Sequence, residues 1–99
     1  MKDIKVKIDK DLKPIIPQFL QNRKNDIKEI QNYLKENNFG EIEVIGHSMK
    51  GSGGGYGFNK ITQFGKNIEE AAKNENKEKI TNNIEELDNY LKEVEVVYH

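Results

Sequence analysis

Four stretches of the chain carry apolar residues at steps of three and four, and this spacing constrains the fold more than any other feature. The clearest stripe lies near the C-terminus and consists of Ile80, Ile84, Leu87, Leu91 and Val94. Residues at this spacing share one face of an α-helix, so each stretch predicts an amphipathic helix with one buried side. The predicted helices cover residues 16–37, about 41–56, 58–73 and 77–95.

The links between these predicted helices are short, and short links favour consecutive helices that run antiparallel. The sequence therefore predicts an all-α fold, an antiparallel up-down-up-down four-helix bundle formed by residues 11–95. A chain of 99 residues fits one domain, so we expect residues 1–99 to form a single unit.

Both ends of the chain alternate apolar and polar residues, a pattern typical of strands. The apolar members are Ile4, Val6 and Ile8 at the start and Val94, Val96 and Tyr98 at the end. The two ends could pair with each other, because one strand cannot satisfy its own backbone. We nevertheless predict that residues 1–10 form an extended N-terminal arm lying on the bundle.

Composition argues against several classes of partner and site. The 16 basic and 17 acidic residues nearly cancel, whereas proteins that bind nucleic acid or anionic membranes usually carry a basic surface. The chain has no cysteine, which excludes disulfides and thiolate zinc sites. No apolar run approaches the roughly 20 residues that a membrane span needs, and the start lacks the apolar segment of a signal peptide. We therefore expect a cytoplasmic protein.

Residues 46–57 hold six of the eight glycines and one of the two histidines. On a helix, His47, Lys50 and Gly51 share one face, which combines a nucleophilic imidazole, a neighbouring cation and bare backbone. On the same helix, the spacing also directs Gly54 outward.

The glycine run makes a helix costly in this stretch. Each glycine costs roughly 1 kcal/mol relative to alanine in a helix interior, so a flexible loop over residues 51–57 is the alternative. We predict that the helix continues to about Tyr56, held by Tyr56 and Phe58 in the core.

From the residues alone, several interpretations of residues 46–57 compete. The order Lys50-Gly51 reverses that of a phosphate-binding P-loop, and no strand-helix-strand pattern surrounds it. One usable histidine offers too few ligands for a metal. Ser48 and Ser52 have no recognisable acid partner for a hydrolase triad. On the residues alone, His47 could equally be a surface or packing residue followed by glycines that end the helix, or a reactive histidine.

A family resemblance bears on this choice. The segment His47-Ser48-Met49-Lys50-Gly51-Ser52, followed by Gly57-Phe58, resembles the His-x-x-Lys-Gly signature of histidine-containing phosphotransfer (HPt) domains of two-component phosphorelays. Residues 16–23 and 61–69 are similar to the helices before and after the signature in that family. The likeness covers about residues 10–95. The run Gly53-Gly54-Gly55 departs from it, because the family has serine, alanine or similar small residues there.

The resemblance implies a phosphocarrier. As a domain of this kind, the chain would accept a phosphoryl group on His47 from a receiver-domain aspartate or a kinase and pass it to another receiver aspartate. Lys50 would offset the charge of that group, and Glu69 would orient the inner ring nitrogen. Gly51 and Gly54 would let the partner approach closely.

The partners implied are the receiver domain of a response regulator, a hybrid sensor histidine kinase, or both. We expect this chain to be a monomer. No cofactor is expected in the chain itself, and Mg²⁺ is expected in the partner receiver. The sequence lacks a kinase ATP motif, so a phosphohistidine carrier is favoured over an autonomous kinase or phosphatase. Two alternatives are a docking module that is never phosphorylated and a small nucleotide-binding protein that uses the glycine-rich stretch.

Overall fold

The computed structural model describes residues 4–99, and four α-helices account for most of them. The helices are α1 (Ile16–Lys35), α2 (Phe39–Gly55), α3 (Asn59–Lys73) and α4 (Lys77–Glu93). All four predicted helices are confirmed, and the fold is all-α in character. Their antiparallel up-down-up-down order stays a prediction. None of the helices in residues 4–99 has both the length and the apolar character needed to cross a membrane.

Asparagine side chains cap the N-termini of two helices. The Asn38 side chain accepts a hydrogen bond from the amide of Glu41 at 3.3 Å, and Asn76 accepts one from Lys79 at 3.1 Å. Each satisfies a backbone donor that the first turn leaves without a helical partner. As a result α2 begins at Phe39, two residues before the predicted start.

The prediction of a separate N-terminal arm is not confirmed. Residues Ile4–Ile8 form a strand, β1, which pairs in parallel with a second strand, β2 (Val94–Tyr98). Ile4 lies opposite Val94 and Ile8 opposite Tyr98. The two strands therefore pair along one edge of each. Helix α4 stops at Glu93 rather than residue 95. Residues 1–3 of the predicted arm lie outside the described residues.

The apolar stripes of the four helices meet in one core. Its most deeply buried side chains are Ile8, Ile16, Ile30, Ile42, Met49, Phe58, Ile61, Ile68, Ile80 and Leu87. Phe58, in the link between α2 and α3, is fully buried and stacks on Phe19 with ring centroids 5.4 Å apart. The link is thereby fixed against α1, which holds the end of α2 in place.

Helices α2 and α3 approach each other so closely that glycine is needed at the contact. A methyl group added to Gly46 would lie 2.7 Å from the amide nitrogen of Glu69, and one added to Gly65 would overlap the backbone of Lys50. Two helical backbones can lie this near only where side chains are absent. The contact places the outward residues of the two helices side by side.

Candidate functional site

His47 projects from the middle of α2 with 71% of its side chain exposed. Its inner ring nitrogen, Nδ1, lies 2.8 Å from Oε2 of Glu69 on α3. An ionised carboxylate can only accept hydrogen bonds, so in the neutral ring Nδ1 carries the proton. The outer nitrogen, Nε2, is then left with a lone pair, the form in which an imidazole acts as a nucleophile.

Glu69 contacts a second outward residue of α2 as well. The Lys50 ammonium donates a hydrogen bond of 2.7 Å to Oε1 of Glu69, so one carboxylate bridges Lys50 and His47. Only 9% of the Glu69 side chain is exposed, and a carboxylate removed from water needs such partners to remain charged. The hydrogen bonds from Lys50 and then from His47 lower the pKa of Glu69 below its ordinary value of 4.5. The carboxylate is therefore ionised at neutral pH.

The sequence positions these three residues, the His47–Lys50–Glu69 cluster, through two simple relationships. His47 and Lys50 are three residues apart on one helix and so share a face. Glu69 reaches them because the bare backbone of Gly46 lies directly against the Glu69 amide. The structure thus brings together all three side chains named from the sequence.

The two glycines expected to ease a partner's approach are both exposed, but their surroundings differ. A methyl group added to Gly51 would meet no atom within 4 Å, so the surface one turn beyond His47 is open. A methyl group at Gly54 would lie 3.5 Å from the Thr62 hydroxyl, in ordinary contact with α3. Gly51 therefore leaves the barer patch beside the imidazole.

The glycine run is helical, as predicted. Helix α2 continues to Gly55, and the amide of Phe58 donates to the carbonyl oxygen of Gly53 at 2.8 Å just beyond its end. The half-buried ring of Tyr56 lies 4.5 Å from the ring of Phe19, measured between centroids. These aromatic contacts anchor a segment whose own residues favour the helix least.

Sequence reasoning missed a polar cluster that joins α1 to the glycine-rich part of α2. Arg23 donates to the hydroxyl of Ser52 at 2.9 Å, and its Nε lies 2.8 Å from Oδ2 of Asp26. The guanidinium also lies over the ring of Phe19, 4.9 Å from its centroid. Burial raises the pKa of Asp26 above its ordinary value of 3.8, an effect that the charge of Arg23 opposes. The sequence signal that could have revealed this cluster is Arg23 itself, a charged residue at an otherwise apolar position of the α1 stripe.

Thr62 on α3 provides a further link to the site. Its hydroxyl donates to the backbone carbonyl oxygen of Lys50 at 3.2 Å. The bond ties the backbone under Lys50 to α3, the helix that carries Glu69. Residues 4–99 contain no group of three or more histidine, cysteine or acidic side chains arranged to hold a metal ion, and this includes the site around His47.

Comparison with known protein families gives one finding. A model of the Hpt domain matches residues 15–96, which is most of the chain and includes all four helices and the His47–Lys50–Glu69 cluster. Comparisons with curated proteins and with solved structures give no match.

Proposed function

Because the chain belongs to the Hpt domain family, whose members carry out histidine phosphotransfer in two-component signalling, we propose that it is a phosphocarrier with His47 as the phosphoacceptor. The observation that carries this proposal is the pairing of an exposed imidazole with a buried carboxylate, His47 Nδ1 and Glu69 Oε2 being 2.8 Å apart. That contact leaves Nε2 as the accessible nucleophile.

The transfer needs no proton to leave the ring at the moment of reaction. The Nε2 lone pair attacks the phosphorus of a receiver's aspartyl phosphate, and the bond from phosphorus to the aspartate oxygen breaks. The aspartate leaves as a carboxylate with the bonding electron pair. The imidazole becomes an imidazolium, whose Nδ1–H still faces the Glu69 carboxylate. Onward transfer to a second receiver is the same step in reverse.

Lys50 compensates for the charge that the step brings to the surface. By analogy with phosphoesters, the new group adds a charge of about −1.5 to −2. Lys50 lies one helical turn from His47 on the same face, so its ammonium can reach a phosphoryl group by moving from Glu69. Glu69 then retains the imidazolium as its partner, and both charges remain compensated.

The surroundings of α2 support access by a protein partner. The links between consecutive helices span only residues 36–38, 56–58 and 74–76. Links this short support the predicted antiparallel order. They are also too short to form a loop that covers His47. The bare backbone at Gly51 lets a receiver's aspartate come close, with Gly54 next along that face. The receiver would supply Mg²⁺, with no cofactor in this chain.

We further propose that the chain acts as a cytoplasmic monomer. Its partners would be a response-regulator receiver domain and a hybrid sensor histidine kinase, and the chain would itself be neither a kinase nor a phosphatase. Size-exclusion chromatography of the isolated chain tests the monomer, and incubation with ATP alone should leave it unlabelled.

Phosphotransfer from a labelled receiver tests the central proposal. Incubation with a receiver domain phosphorylated with radioactive phosphate should label this chain, and the label should resist alkali and be lost in acid. His47→Gln should abolish labelling while the circular dichroism spectrum keeps its helical form. His99→Gln, which changes the only other histidine, is the matched control and should be labelled normally. Labelling of the His47→Gln variant at the normal rate would exclude His47 as the acceptor. Tight receiver binding without any labelling would favour the docking module instead.

A further inference from the structure

A groove of about 420 Å³ lies between β1 and the start of α3, at the end of α2. Lys5 and Lys7 of β1, Asn59 and Lys60 of α3 and Tyr90 of α4 line it. No residue of β2 lines it. The groove therefore follows the edge of β1 that faces away from β2, here called the free edge.

Among residues 4–99, β1 pairs only with β2, so its free edge presents unpaired backbone groups to this groove. The amide of His99 donates to the carbonyl oxygen of Ile8 at 3.1 Å, and the amide of Lys10 donates to the carbonyl oxygen of His99 at 2.9 Å. Ile8 therefore directs its backbone toward β2. Backbone direction alternates along a strand, so Lys5 and Lys7 direct their N–H and C=O groups into the groove. This alternation of donors and acceptors is what a further strand would pair with.

The charged residues that line the groove are all lysines. The ammonium groups of Lys5, Lys7 and Lys60 are all exposed, and none forms an ion pair with any residue between 4 and 99. Lysines on a strand edge discourage pairing with neutral strands. The same lysines favour a strand whose side chains are acidic.

One further feature beside the groove favours an anionic ligand. Helix α3 begins beside it without a side-chain cap, so the positive end of the helix dipole is directed there.

We propose that this groove binds an acidic, extended segment of a partner protein, which adds to β1 as a third strand. The backbone of the segment pairs with Lys5 and Lys7, and its carboxylates lie near the three lysines and the start of α3. A single small anion would use the charges but not the alternating backbone groups, and these favour a peptide. The inference does not depend on the phosphocarrier proposal, because it involves none of the residues around His47.

The test uses a fluorescent, terminally blocked peptide in which glutamate alternates with valine. Its binding to the full chain is measured by anisotropy at low salt, beside a matched peptide with glutamine in place of glutamate. We expect the acidic peptide to bind at least about tenfold more tightly, with an advantage that shrinks as salt screens the charges. Equal binding of the two peptides would overturn the proposal.

Variants then locate the site. Lys7→Glu and Lys60→Glu should each weaken binding of the acidic peptide several-fold, whereas Lys24→Glu on α1, outside the groove, should change it by less than about twofold. An equal loss in Lys24→Glu would mean that binding follows net charge alone and would overturn the proposal. Labelling of the Lys7→Glu variant by a phosphorylated receiver should stay normal. A failure of the groove proposal can therefore be distinguished from a failure of the phosphocarrier proposal.

Amide hydrogen exchange identifies the mode of binding. Saturation with the acidic peptide should protect the amides of Lys5 and Lys7, which pair with no other strand in the described part of the chain. The amides of Val96 and Tyr98, on the opposite edge of the sheet, should exchange as before. Protection of Val96 and Tyr98 instead would place the peptide on the other edge. Binding without protection at Lys5 and Lys7 would mean that the carboxylates of the peptide bind the lysines without any strand pairing. Either result would contradict the added strand.

Discussion

Oε2 of Glu69 lies 2.8 Å from Nδ1 of His47, yet the two side chains differ sharply in exposure, 9% against 71%. A buried carboxylate therefore holds an exposed imidazole from beneath. The hydrogen bond selects which ring nitrogen carries the proton and restricts the rotation of the ring. The outer nitrogen can then meet a protein partner with little rearrangement.

Replacing Glu69 by glutamine should slow phosphotransfer without unfolding the protein. The amide keeps the shape of the side chain but loses the charge that faces the imidazolium, and groups that orient a histidine typically contribute about 10–100-fold. The initial rate of labelling by a phosphorylated receiver measures the effect. Glu70→Gln changes an exposed neighbour on the same helix and should leave the rate unchanged. If both variants transfer at the normal rate, Glu69 does not orient the imidazole.

The same carboxylate should make stability depend on pH in the acid range. The pKa of Glu69 is lowered in the folded chain, first by the hydrogen bond from Lys50, so its contribution is fully present above its ordinary value of 4.5. The contribution is lost as the pH falls below 4.5 and through the lower folded value. Urea unfolding of the native chain and Glu69→Gln should therefore show a difference near neutrality that shrinks on acidification. A constant difference from pH 7 to pH 3 would contradict this.

The helices could be predicted from the sequence because their signal is local. The spacing of apolar residues fixes which face of each helix is buried, as the fully buried Ile80 and Leu87 of α4 illustrate. The helical state of the glycine run could also be predicted, although propensity opposes it. The reason is that Tyr56 and Phe58 supply apolar surface at its end, and both pack against Phe19.

The pairing of β1 with β2 lacked such a local signal. The alternation of Ile4, Val6 and Ile8 marks a strand, but nothing near it in sequence identifies its partner about 90 residues away. A single extended arm and a two-stranded sheet give the same pattern of buried and exposed residues at the N-terminus. Only the three-dimensional path of α4, which brings residue 94 beside residue 4, distinguishes them.

The candidate site was predictable to different degrees. The spacing of His47 and Lys50 on one helix gives their common face directly. Glu69 was named from a family resemblance, and its contact depends on how closely α2 and α3 pack at Gly46 and Gly65. The sequence marks both positions only as glycines among several others, so the distance between the helices could not be predicted.

Gly65→Ala tests whether this close packing sets the site geometry. The new methyl group would overlap the backbone of Lys50, and backbone cannot move aside as a flexible side chain can. We expect a loss of about 1–3 kcal/mol in the free energy of unfolding, with slower phosphotransfer because α3 and Glu69 are displaced. Gly55→Ala is the control, since a methyl group there meets no atom within 4 Å. Denaturant unfolding that gives Gly65→Ala native stability would contradict the close contact.

Asp26→Asn should affect stability with the opposite dependence on pH. Burial raises the pKa of Asp26, so the folded chain favours the protonated form and loses stability as the pH rises from below 3.8 through the folded value. Asparagine does not titrate and so has no such loss, and its carbonyl oxygen can take the place of Oδ2 beside Arg23. The variant should therefore gain stability relative to the native chain as the pH rises toward neutrality. Urea unfolding at pH 3 and pH 7 measures this, and Asp88→Asn, on the exposed surface of α4, is the comparison.

Gly51→Ala separates stability from access to the imidazole. Among residues 4–99, the new methyl group meets no atom within 4 Å outside its own helical turns. Alanine favours a helix over glycine by about 1 kcal/mol, so the variant should unfold at higher denaturant. The methyl group would nevertheless stand on the surface one turn from His47, where we propose that the receiver approaches. We therefore expect slower phosphotransfer from a receiver, with a weaker apparent affinity for it, in a protein that is more stable than the native one. Gly55→Ala, farther along α2, should transfer normally. Normal transfer by Gly51→Ala would mean that the bare backbone at this position is not required for the approach of the receiver.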